Sequence, residues 1–294
     1  MFQSSNPMMK NSGFRMPQRW DDLDAPGGRG ERVGMSGGMS GGMSGAGAAT
    51  LDASAMPSTT MTVRGTAAKA AISLVFCALT AVVVYGWMSG LKASGASLAP
   101  ATGVMIGGTL VGLVLALILM FKPLLAAFLT LPYAVCQGAF VGGLSYIAAT
   151  SGLAGKGIGV HGVFTAVTIT FGIFAAMLAL FGAGLRIRGV FAKMLIVGVA
   201  GVALTYVANL VLNLVGVTSL NVIHSASPIG IGFSLVVVGL ASFTLVMDMQ
   251  FIEDASAGGT DKRMEWYGAF ALTGSLVWLY IEVLRLISKL RSNE

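Results

Sequence analysis

The chain has 294 residues, of which 55% are hydrophobic and only 10% charged, and its mean hydropathy is +0.82; an ordinary globular domain carries about 25% charged residues. That balance excludes a water-soluble globule. The net charge of +6 is no nucleic-acid footprint either: five basic and five acidic side chains occupy residues 1–52, eight basic and no acidic ones residues 53–247, and five basic and seven acidic ones residues 248–294. Nucleic-acid binders cluster cations on a polar face, whereas here the central cations punctuate apolar runs.

Residues 1–65 form a first segment, poor in aliphatics and rich in Gly, Ser and Met, with Gly-Met-Ser-Gly repeated at 34–37, 38–41 and 42–45. Such a segment buries too little apolar surface to offset the entropy of ordering it, so a disordered tail is expected. Thioethers suit soft metals, but no His or Cys accompanies these methionines. The repeat is therefore not read as a copper tract. No charged n-region followed by an apolar h-region opens the chain, so no secretory signal is expected.

Residues 66–294 read as one all-α, polytopic membrane domain, a bundle of seven transmembrane helices. A helix needs about 20 apolar residues to cross a hydrocarbon core of about 30 Å. Stretches at 67–88, 98–121, 123–149, 160–181, 190–215, 228–252 and 266–287 qualify. Barrel strands of about 10 alternating residues are excluded. Cytoplasmic loops carry the excess of Lys and Arg. A cytoplasmic N-terminus puts Arg64, Lys69, Lys122, Arg186, Arg188, Lys193, Lys262 and Arg263 inside, against Lys92, Lys156, Arg285, Lys289 and Arg291 outside. Tyr85 with Trp87, and Trp266 with Tyr267, suit the two aromatic belts. Gly103, Gly107, Gly108 and Gly112 in the second span, and Gly138 and Gly142 in the third, predict close helix packing. Asn209 and Asn213 share a face of the fifth span and read as interhelical glue. Cys77 and Cys136 stand in apolar runs without a metal-binding or redox spacing and read as packing residues. His161 and His224 have no acidic neighbours.

Chemistry is therefore sought among the carboxylates. Asp248 is the only acid inside an apolar span, and an ionisable group there marks a functional site by default. Thr244, one turn earlier, is placed to donate a hydrogen bond to it. Asp248 is expected about one turn from the end of its helix, where it also offers an oxygen to a metal cation. Glu265 opens the last span beside that end; two neighbouring carboxylates resist double ionisation and share a proton, which makes the pair a pH sensor or a cation site. The simpler role for Glu265 is an acid in a first helical turn. Glu253 lies in the intervening loop region. Glu282 stands about 25 Å farther along the last helix than Glu265 and is expected to pair with Arg285 at i+3. A retinal Schiff base needs a buried lysine in the last helix, where the only lysine, Lys289, is expected at the outer end, and no Gly-x-Ser-x-Gly serine suits a protease, so neither a catalytic residue nor a cofactor is expected and the chain is not read as an enzyme.

The run Asp248-Met-Gln-Phe-Ile-Glu253, then Met264-Glu-Trp-Tyr267, then Leu276-Val-Trp-Leu-Tyr-Ile-Glu-Val-Leu-Arg-Leu-Ile287 resembles the last two helices of the Bax inhibitor-1 superfamily, and its bacterial Bax inhibitor-1/YccA-like branch in particular. Tyr133, Ala134, Gly138, Ser145, the run from Thr170 to Leu180 and the helix start around Lys69 match as well. The resemblance covers about residues 60–290. It implies seven helices with one wrapped by the others, in a bacterial cytoplasmic membrane. It also implies a pH-sensitive calcium leak in which two aspartates, in the sixth and seventh helices, share protons. Asp248 matches the first; the second falls near Ser275, and Gln137 stands where a glutamate is common. The resemblance thus implies calcium and protons as the transported or sensed ions, with Glu265 or Glu253 substituting for the missing acid. Alternatively it implies a non-transporting partner of a membrane protease.

Overall fold

The computed structural model describes residues 59–151, 157–214 and 227–292. The chain divides after Ala53, and every described residue belongs to the second unit, Ser54–Glu294. The tail up to residue 58, Lys156, His224 and the side chains of Asn209 and Asn213 lie outside the described residues.

All seven spans are helices: α1 (Val63–Ala93), α2 (Ala99–Phe121), α3 (Ala126–Thr150, entered through a 3-10 turn at Pro123–Leu125), α4 (Gly159–Gly182), α5 (Gly189–Leu214), α6 (Pro228–Ala257) and α7 (Met264–Ser292). Local chemistry sets several ends. The Thr62 hydroxyl accepts a hydrogen bond from the backbone N–H of Gly65 and caps α1, and Ser227 does the same for α6 ahead of Pro228; both satisfy otherwise orphaned first-turn donors. Gly259, at φ 68°, turns the chain from α6 towards α7 in a backbone region that other residues avoid.

Helix α7 packs against α1, α3, α4 and α6 and buries residues around its whole circumference, among them Leu272, Leu276, Leu279 and Val283, so it is the wrapped helix. The tightest approach is between α1 and α3. A Cβ on Gly138 would strike the carbonyl oxygen of Cys77, and one on Gly142 that of Ala81. Backbones this close gain dispersion contacts that lipid cannot offer. Gly108 and Gly112 meet Cys136 on α3, but Gly103 and Gly107 face open space, so only half of the glycine stripe on α2 serves packing. Large apolar side chains cover the outside: Phe121 is 82% and Phe128 78% exposed. A surface of this kind is solvated by lipid. Cys77 is buried, and both cysteines are free thiols.

Two boundaries differ from expectation. Residues 59–65, assigned to the tail, are ordered: Thr60 pairs with Asp261 in an antiparallel bridge, Met61 is 1% exposed, and its N–H donates to the carbonyl of Thr260 at 2.7 Å. The segment thus straps the α6–α7 turn before entering α1. Helix α6 also continues five residues past 252, to Ala257, because Glu253 and Asp254 sit comfortably in a helix that has left the apolar core.

Candidate functional site

That extension puts Asp248 nine residues, about 14 Å, from the end of α6, although it stays about one turn from Ile252, the last residue of the apolar run. One carboxylate oxygen, Oδ2, is buried and has no hydrogen-bond partner. Ser275 of α7 is the side chain within hydrogen-bonding reach of the carboxyl. Thr244 does not donate to it: its hydroxyl donates instead to the carbonyl of Leu240 at 3.0 Å, the back-bond that helical threonines commonly make. A buried polar atom without a partner is costly, and a proton, a water or a cation would satisfy it. No further ligating set surrounds it: among the described residues, no three His, Cys, Asp or Glu side chains cluster.

Glu265, expected beside Asp248, is engaged elsewhere. Ten residues separate it from Ser275 on α7, about 15 Å, too far for Glu265 to share a proton with the group that Ser275 faces. Its carboxylate, 1% exposed, accepts from the N–H and the hydroxyl of Thr62, both at 3.0 Å, and from Lys69 Nζ at 2.6 Å. Lys69 Nζ also lies 5.3 Å from the centre of the Trp266 ring. Gly65 leaves the space for this carboxylate, since a Cβ there would collide with it. Glu265 therefore locks the start of α7 to the start of α1, through side chains about 200 residues apart in sequence.

Glu253 is also paired. Arg186, just after α4, donates through Nη2 to both of its carboxylate oxygens, at 2.9 and 3.2 Å, and through Nη1 to the carbonyls of Phe181 and Leu185. At the other end of α7, Glu282 is 1% exposed and forms the expected i+3 pair with Arg285 at 3.1 Å. Sequence reasoning missed its third member, Tyr206 of α5, whose hydroxyl donates to Glu282 Oε1 at 2.8 Å and accepts from Arg285. Lys289, placed at the outer surface by its position in the last turns, is instead 1% exposed. Its ammonium donates to the carbonyl of Gly230 at 2.9 Å and to Ser234 at 2.8 Å. Gln137 is half-buried, with its side chain against Tyr133 on the same face of α3.

Geometry thus separates four carboxylates into three occupied ones and one with a vacant oxygen. A model of the family described as Bax inhibitor 1 like matches residues 6–292. The chain belongs to that family. The match begins well ahead of residue 60, so most of the tail falls inside the Bax inhibitor 1 like region and not outside it. No individual curated protein and no solved structure matches the chain. Within the Bax inhibitor 1 like domain, the register that put the second aspartate of the resemblance at Ser275 is the register in which Ser275 faces Asp248 across the α6–α7 contact.

Proposed function

We propose that this Bax inhibitor 1 like membrane protein is a cation leak, with calcium as the transported ion, and that its conduction is set by protonation of Asp248. One observation carries the reading: a carboxylate oxygen lies buried, with no partner, on the sole acid of the apolar run 228–252. Glu265 is removed from the switch by Lys69, and Glu253, half-exposed beside Arg186, lies outside the buried site, which leaves a single-carboxylate device. Calcium takes about six to eight oxygen ligands, and the absence of a ligating cluster among the described residues favours passage over residence. Ionised Asp248 attracts a cation and protonated Asp248 does not, so conduction falls on acidification. The same reading takes the membrane to be a bacterial inner membrane, with the Glu265 end cytoplasmic. Arg64, Lys122 and Arg186 gather at that end, while Arg285 and Lys289, which count against this orientation, serve contacts between helices and not loops.

The test is calcium flux into proteoliposomes at mildly acidic and mildly alkaline pH. Wild type is expected to conduct more at the alkaline value, and Asp248→Asn to conduct equally and poorly at both. Equal pH response in the two proteins overturns the assignment of Asp248. No flux above that of empty vesicles overturns transport and leaves the interaction reading, in which the protein modulates a membrane protease.

A further inference from the structure

Helices α1 and α4 are not packed against each other, and the gap between them is a groove of about 370 Å³, within the range of about 300–1,000 Å³ typical of small-molecule sites. Ala67 and Ala71 on α1 give it depth, Phe174 and Phe181 on α4 form the opposite wall, and Met249 and Leu276 form the floor. Leu178 on the rim is 50% exposed, so the groove opens sideways towards lipid. Along α1 it extends from Val63 to Leu74; eleven residues rise about 16 Å, close to half of a hydrocarbon core of about 30 Å. Its length is that of one leaflet.

The lining is apolar with a single charged exception, Glu253, at one end. Beside it stands Arg186, stacked 4.0 Å over the ring of Phe181, and the two side chains are 28% and 46% exposed for Arg186 and Glu253. Ion pairs this open to water hold weakly and exchange partners readily. The mouth therefore presents one cation and one anion side by side, at the level where a headgroup meets its acyl chain.

We infer that the α1–α4 groove is a binding site for one acyl chain of a zwitterionic phospholipid, with phosphatidylethanolamine as the matching headgroup. Its phosphate pairs with the Arg186 guanidinium and its ammonium with the Glu253 carboxylate, exchanging one ion pair for two. A phosphatidylglycerol headgroup satisfies Arg186 but leaves Glu253 without a cation. A fatty acid does the same. The inference is independent of ion conduction.

The experiment is native mass spectrometry of the full chain, released from detergent and titrated with phosphatidylethanolamine or phosphatidylglycerol of identical acyl chains. Wild type is expected to retain one phosphatidylethanolamine at least about tenfold more tightly than phosphatidylglycerol. Ala71→Phe, and on the facing wall Leu178→Trp, fill the groove and abolish that retention. Glu253→Gln keeps the groove open and brings the two lipids to parity. Equal retention of both lipids by wild type, undiminished binding in both filled variants, or an unchanged preference in Glu253→Gln each overturns the site. Thermal melts check that the filled variants are folded; if they are not, the wild-type preference and Glu253→Gln decide.

Discussion

The two carboxylates that sequence reasoning paired, Glu265 and Asp248, sit in opposite circumstances. Around Glu265, a backbone N–H, a hydroxyl, an ammonium and a glycine cavity converge on both oxygens from another helix. Around Asp248, one oxygen is buried and unmet, and the side chain within hydrogen-bonding reach of the carboxyl is a serine. A fully met charge is architecture, because changing its state breaks contacts on two helices. An unmet one is free to change state at little structural cost. Burial alone does not separate the two roles; the number of partners does.

That contrast can be broken at several points. Removing Glu265 strands Lys69 and the Thr62 N–H, and loss of one partner from a buried ion pair costs about 3 kcal/mol or more. Glu265→Ala is therefore expected to melt far below wild type in detergent, whereas Asp248→Asn melts within a few degrees of it. Giving Asp248 a partner is the next largest change. In Ser275→Asp, two carboxylates within hydrogen-bonding reach resist double ionisation, and the pH response of calcium flux is expected to spread into two steps where wild type shows one. Tyr206→Phe removes a single hydroxyl from the Glu282 and Arg285 cluster, and a hydrogen bond to a charged group contributes about 1.5–3 kcal/mol, read as a drop in melting temperature with flux retained. Thr244→Val is expected to change stability by less than about 0.5 kcal/mol and to leave the pH response of flux intact; a lost response would show that Thr244 does serve Asp248.

The spans were legible because a bilayer reads only length and apolarity, and those are local properties of the chain. Helix ends were less so: α6 runs past the apolar core on residues that suit a helix in water, which moved its end five residues farther from Asp248. The singular acid in an apolar span was visible for the same reason, whereas its relation to Glu265 was not. Lys69 lies 196 residues from Glu265, and no periodicity tells which faces of two distant helices meet. Tyr206 carries no local signal at all, being one aromatic among apolar neighbours. Thr244 and Lys289 misled in a shared way. Each was read by what its residue type usually seeks, and each had a nearer partner: the carbonyl of Leu240 for the hydroxyl, and Gly230 and Ser234 for the ammonium.

The wrapped position of α7 has a consequence for how the protein is made. The helix that contacts α1, α3, α4 and α6 leaves the ribosome after the other six, so these must wait in the membrane around a seat that is still empty. In that interval Lys69 and Thr62 lack their carboxylate, and the acidic side chain on α6 lacks the serine that faces it. A chain that stops before residue 264 is thus no smaller version of the bundle. It is a ring without its axle, with polar groups open to lipid, and membrane quality control has reason to remove it.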